Sequence, residues 1–96
     1  MLFDKFSIDA LTFRNRVVMA PMTRCRTDHR EAIANDLMAE YYRQRASTGL
    51  IVSEGVSVSD CARGYINNPG LYTEAQAASW KKVDDAVHAT GGRIFA

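Results

Sequence analysis

Side chains able to do chemistry gather at three points of the sequence. The first is Ala20-Pro21-Met22-Thr23-Arg24-Cys25-Arg26, where a hydroxyl, a thiol and two guanidiniums follow a short apolar run. The second is Glu54-Gly55, a carboxylate and a glycine directly after another apolar run. The third is Tyr65, an aromatic hydroxyl between Gly64 and Asn67. Taken singly, each has a plain structural reading. Thr23 suits a capping hydroxyl behind a proline stop, Tyr65 a ring packing its own loop, and Gly55 a turn. Glu54 has the type of an acid–base group, but at the end of an apolar run it is expected as a structural carboxylate, hydrogen-bonded there. His29 and His88 have no nucleophile or metal-ligand partner at diagnostic spacing, and Cys25 and Cys61 lack C-x-x-C spacing.

The whole composition narrows the classes. The chain has 96 residues, 47% hydrophobic and 24% charged, which is globular composition and allows one domain or part of one. Its formal charge of +1, with lysines and arginines scattered among acids, gives no electrostatic reason to expect nucleic acid or an acidic membrane surface. Two cysteines are too few for a disulfide scaffold, so reduced thiols in the cytoplasm are expected. Asp4, Lys5 and Asp9 interrupt the apolar N-terminus, which fails as a signal-peptide core. No uncharged run approaches the ~18 residues of a membrane span.

The positioning elements follow from periodicity. Phe6 to Ile8 and Leu11 to Phe13, joined at Asp9-Ala10, predict a hairpin. Val17 to Ala20 is apolar on both faces and predicts a buried parallel strand that Pro21 must end, since proline cannot donate to a ladder. Asn35 is placed as a helix N-cap with Asp36 in the first turn, ahead of a stripe of Leu37, Met38, Tyr41, Tyr42 and Ala46. Gly49 is expected at the C′ position of that helix, followed by a buried strand over Leu50 to Ser53. A loop spans Val56 to Tyr72. Thr73 and Gln76 form a capping box for a helix striped by Trp80, Val83 and Val87, which Gly91-Gly92 stops before a third strand at "RIFA".

Hairpin, β, α, β, α, β with helices over ten residues long is an α/β pattern with a parallel sheet. Two architectures compete: an open doubly wound sheet and the opening of an eight-stranded β/α barrel. No G-x-G-x-x-G follows the first parallel strand, which removes the main sign of a dinucleotide-binding Rossmann unit. Three strands cannot close a barrel, which takes eight and typically ~250 residues. The expectation is therefore the N-terminal part of a (β/α)8 TIM barrel, incomplete in this chain.

With the elements in place, three stretches carry a family likeness. "LTFRNRVVMAPMTR", "AEYYRQRASTGLIVSEG" and "GYINNPGLYTEAQAASWKKVDDAVHATGGRIFA" resemble the N-terminal third of the Old Yellow Enzyme family of FMN-dependent NADH:flavin oxidoreductases. The likeness runs from Leu2 to Ala96, and looks most like the alkene and N-ethylmaleimide reductase branch. Residues 1–96 are then expected to be the N-terminal fragment of an FMN-binding barrel domain.

The resemblance implies an oxidoreductase with NADH or NADPH as hydride donor, FMN as cofactor and an activated alkene, such as an α,β-unsaturated carbonyl, as substrate. It places Ala20, Pro21, Met22 and Thr23 along the flavin, with the Thr23 hydroxyl near the C4 carbonyl, where a donor stabilises charge on the reduced ring. Alanine and proline would let the backbone approach a planar ring. Gly55 stands where relatives often have alanine against the flavin, and Tyr65 is implied at the mouth of the substrate pocket. Thr23 takes the place of a ring-side cysteine, so Cys25 is expected as a packed thiol. Arg24 and Arg26 are expected to be structural, because the family binds the FMN phosphate from later strands. That phosphate site and the residues that hold the substrate carbonyl lie downstream, so the partners expected are a small-molecule alkene and a missing C-terminal part of the barrel. The rival expectation is a truncated, non-catalytic chain or one half of a split barrel. Another flavin barrel, such as a dienoyl reductase or amine dehydrogenase relative, shares this N-terminal architecture.

Overall fold

The computed structural model describes residues 1–28 and 30–96, so His29, expected in a polar loop, lies outside the described residues. Strands β1 (Phe6–Ile8) and β2 (Leu11–Phe13) pair antiparallel, as expected. Asp9 makes the turn at φ 49°, a left-handed conformation that aspartate tolerates better than most side chains. Then come β3 (Val18–Met19), α1 (Asp36–Arg43), β4 (Leu50–Val52), a single 3-10 turn at Asp60–Ala62, α2 (Glu74–His88) and β5 (Ile94–Phe95). The sheet runs β3-β4-β5, all parallel, with Val18 opposite Leu50, Ile51 opposite Ile94 and Val52 opposite Phe95.

Both helices pack on one face of this sheet. Ile51 is fully buried there with Met38, Tyr42, Ala46, Trp80, Val83 and Val87, while Met19 and Ile94 flank the cluster. Alternation along a strand puts Val18, Leu50, Val52 and Phe95 on the opposite face. That face is open: Val18 is 56% and Phe95 45% exposed. The expectation of burial on both faces therefore holds only toward the helices. Cover for the second face would come from further strands closing a barrel or from helices on that side, and neither is present among the described residues.

Two further expectations change. α1 spans eight residues and Gln44 is its C-cap, so it is shorter than expected and Gly49 is not its C′ residue. Leu37 is 65% exposed, because it sits about 100° around the helix from Met38. Gly49 is needed for a close approach instead. The Asn15 side chain donates to Ser47 O (2.9 Å) and accepts from Val17 N (3.1 Å), drawing the turn before β4 against the start of β3. A Cβ on Gly49 would stand 2.0 Å from the Asn15 carbonyl oxygen.

α2 begins as expected. Thr73 Oγ1 accepts from Gln76 N (3.2 Å), and Gln76 Oε1 accepts from Thr73 N (3.2 Å) and Tyr72 N (2.9 Å). Gln76 Nε2 also donates to Glu31 O (2.9 Å), tying the loop before α1 to the start of α2. At the other end Gly91, at φ +75°, turns the chain toward β5. The hairpin is fastened at the N-terminal end of the sheet, where Arg93 Nε donates to Thr12 O (2.8 Å) and an Arg14 guanidinium nitrogen to Thr90 O (2.7 Å). This leaves the C-terminal ends of the strands clear of it.

Replacing Gly49 with alanine forces a methyl group into rigid backbone and is expected to cost ~1–3 kcal/mol, read as a lower urea midpoint. Gly64→Ala serves as control, since a Cβ there meets nothing within 4 Å, and its midpoint is expected to stay with the parent.

Candidate functional site

β3 ends at Met19, and Ala20, Pro21, Met22 and Thr23 follow as exposed chain outside any strand or helix. β4 ends at Val52 and runs into Ser53, Glu54 and the exposed Gly55. The long loop beyond then folds back on the strand end, with Ser57 N donating to Pro69 O and Leu71 N to Ser57 O, both at 2.9 Å. That return brings Tyr65 toward the strand ends.

Thr23, Gly55 and Tyr65, from three separate segments, line one depression of about 250 Å³ together with Val58, Gly64 and Asn68. Ala20, Pro21 and Met22 do not border it and remain exposed beside it. A methyl group on Gly55 would touch nothing within 4 Å, so the strand ends leave open surface for a flat ring. These residues fit the face of a planar cofactor. Nothing among them grips a phosphate.

Glu54 is a structural carboxylate, as expected. It is 2% exposed, its Oε1 accepts from the Tyr42 hydroxyl (3.0 Å) and its Oε2 from Arg24 N (3.3 Å). The same hydroxyl accepts from Glu54 N (2.8 Å), so Tyr42 grips both main chain and side chain of one residue. Burial raises the Glu54 carboxyl above the ordinary range, partly offset by the Tyr42 and Arg24 hydrogen bonds. Burial also pushes the Tyr42 hydroxyl up, so it stays protonated and able to donate. Sequence reasoning placed Tyr42 in the apolar stripe without assigning a partner to its hydroxyl. The signal was available, because a tyrosine ring at a core position needs a hydrogen-bond partner for its OH.

Asn68 was also missed. It is 7% exposed and donates from Nδ2 to Ser57 Oγ (3.2 Å), and its Oδ1 is the one buried side-chain polar atom without a partner among the described residues.

Arg24 and Arg26 have local roles. The Arg24 guanidinium lies 5.2 Å from the Tyr41 ring centre, and Arg26 donates back to Arg24 O (3.1 Å). With Tyr41, Leu37, Glu40 and Glu54 they line a second cavity of about 250 Å³ between α1 and the loop after β3, bordered by none of the expected site residues. Cys25 is half-buried at φ 55° and Cys61 is exposed; both are free thiols. Among the described residues there is no group of three His, Cys, Asp or Glu side chains arranged to hold a metal ion, and no helix is long and apolar enough to cross a membrane.

The sequence profile of the NADH:flavin oxidoreductase / NADH oxidase family matches residues 1–96. Among curated relatives, 12-oxophytodienoate reductase 7 of Oryza sativa subsp. japonica is 44% identical over 95 residues, covering 98% of this chain and 24% of the relative. Chanoclavine-I aldehyde reductase of Penicillium roqueforti is 43% identical over 96 residues, covering 98% of this chain and 26% of the relative. Among solved structures, morphinone reductase in complex with tetrahydroNAD superposes with a TM-score of 0.91 at 50% identity, over 97% of this chain and 25% of that one. The old yellow enzyme homologue of Zymomonas mobilis gives a TM-score of 0.94 at 44% identity, over 99% of this chain and 26% of that one. The chain thus spans about a quarter of the length of these relatives. The fold is the N-terminal part of their β/α barrel, and the likeness read from the residues holds at the level of the family.

Glu54 gives this end of the sheet a pH dependence of known sign. The folded chain holds the Glu54 proton more tightly than the unfolded chain does, so stability falls as pH rises from the ordinary value of 4.5 toward the raised one, and levels off above it. Glu54→Gln is expected to flatten the plot of urea midpoint against pH above the ordinary carboxylate value of 4.5. Asp84, also raised by burial, contributes a slope of the same sign in both proteins, so the difference isolates Glu54.

Proposed function

The chain belongs to the NADH:flavin oxidoreductase / NADH oxidase family, and from that premise we propose that it is the cofactor-facing opening of an FMN-dependent ene-reductase. Bound FMN would supply the hydride relay from NADH or NADPH to the β-carbon of an activated alkene such as an α,β-unsaturated carbonyl. Ala20, Pro21 and Met22 would lie along the ring, with no bulky group in its way. Thr23 would present its hydroxyl as a donor to the carbonyl edge of the ring, where negative charge gathers on reduction. Gly55 would leave clearance at the next strand end, and Tyr65 would line the substrate mouth.

The observation that carries this reading is the meeting of Thr23, Gly55 and Tyr65 at one depression on the C-terminal ends of parallel strands. Ligands of barrel enzymes bind at that end. The chain spans about a quarter of its relatives, so groups for the cofactor phosphate and the substrate carbonyl would come from a C-terminal part of the barrel. The open sheet face of Val18, Leu50, Val52 and Phe95 is where that part would close. The same open face favours the second reading, a non-catalytic fragment or one half of a split barrel, for the chain acting alone. Use of NADH or NADPH and two free thiols point to the cytoplasm.

A chimera tests the proposal. The chain replaces the matching first quarter of morphinone reductase, with which it is 50% identical. The purified chimera is expected to be yellow and to oxidise NADH or NADPH when given 2-cyclohexenone. Thr23→Ala in that chimera is expected to lower the flavin potential and slow turnover roughly tenfold, the loss of about one hydrogen bond to a charged acceptor. A folded but colourless chimera sinks the cofactor role, and a Thr23→Ala form with unchanged potential and rate sinks the role of Thr23. The 96-residue chain alone is expected to show no enone-dependent oxidation; turnover by it would reject the fragment reading.

A further inference from the structure

Beyond β3 the chain loses its ladder partner, and Pro21 has no N–H to give. Among the described residues, the first hydrogen bond along the chain after Pro21 is Arg24 N–H to Glu54 Oε2. Thr23 therefore hangs between the end of β3 and that single bond. The next fastenings come at Arg26, whose carbonyl accepts from Asn35 Nδ2 (2.6 Å), and at Thr27, whose N–H and hydroxyl both donate to Asn67 O.

Glu54 is well built to act as that first fastening. Tyr42 grips it twice, by donating to Oε1 and by accepting from its N–H, which fixes the carboxylate against α1. Glu54 also precedes Gly55 directly and binds the residue after Thr23, so it adjoins two of the segments that line the depression. No arginine or lysine side chain is hydrogen-bonded to this buried carboxylate among the described residues. A hydrophobic residue would fill such a place at lower desolvation cost. Packing alone does not call for a carboxylate at this position.

We propose that Glu54 is a positioning residue, which with Tyr42 holds the loop after β3 so that Thr23 and Gly55 face the same depression. The inference rests on the reading of Thr23 given above only for its consequence in catalysis; the fastening itself can be measured without flavin.

The experiment is amide hydrogen exchange, followed by NMR on the 96-residue chain and on Glu54→Ala, Glu54→Gln and Tyr42→Phe. In Glu54→Ala the Arg24 amide is expected to exchange roughly tenfold faster, the equivalent of one lost hydrogen bond. In Glu54→Gln, which keeps a carbonyl acceptor, it is expected to return toward the parent rate. Tyr42→Phe is expected to speed Arg24 less than Glu54→Ala does. Val83 and Val87 in α2 are expected to keep their rates throughout. The proposal is overturned if Arg24 already exchanges at the unprotected rate in the parent chain. It is also overturned if Arg24 is unmoved by Glu54→Ala, or if Val83 and Val87 accelerate in step with it, which would make Glu54 a contributor to global stability only. Should Glu54→Ala fail to fold, Tyr42→Phe decides, and an unmoved Arg24 there overturns the proposal. Failure of this exchange pattern leaves the Thr23→Ala result in the chimera standing, and the reverse also holds.

Discussion

The structure depends on the ladder of β4. Among the described residues it is the one strand paired on both edges: Gly49 N donates to Val17 O at 2.9 Å on one side, and Ile51 N and Ser53 N donate to Arg93 O and Phe95 O on the other. Its central side chain, Ile51, is the fully buried residue against which both helices meet. A parallel strand needs a crossover to reach its neighbour, so pairing β3 to β4 to β5 commits α1 and α2 to the same face. The two helices then share a core in which Tyr42 and Trp80 rings lie 6.1 Å apart. Everything at the strand ends is built outward from this frame.

What a helix or loop needed locally was legible. The capping box at Thr73, the Asn35 cap, the hairpin turn and the proline stop each rest on bonds within a few residues, and each stands where the residues put it. What depends on distant parts of the chain was not. Gly49 looked like a helix terminator because glycine is common there, and its real constraint is the carbonyl of Asn15, 34 positions earlier (49 − 15). Val17 to Ala20 read as buried on both faces because a run apolar at every position suits a buried parallel strand, but only one face has cover here.

The site divides along the same line. Thr23, Gly55 and Tyr65 were identified by a family likeness, since nothing in their own spacing would bring them together. The structure gathers them at one depression but leaves Ala20, Pro21 and Met22 outside it. Tyr42 was visible as a core ring, while its bond to Glu54 was not, because a helical period reports which face is buried and not what a hydroxyl finds there. Asn68 is hidden for a similar reason. Its burial follows from the loop's return onto Ser57, a tertiary event without local signature.

The fastening of the hairpin has a consequence for how the chain assembles. Its bonds from Arg14 to Thr90 and from Arg93 to Thr12 close loops of 76 and 81 residues, whereas β3 and β4 meet across a far shorter stretch. Closure entropy grows with the logarithm of loop length, and rates favour contacts between near neighbours in sequence. The β–α–β core is then expected to condense first and the N-terminal ribbon to dock last. The ribbon would then wait for its place as a free hairpin, held by local contacts such as its three cross-strand pairs and the stacked Phe6 and Phe13 rings.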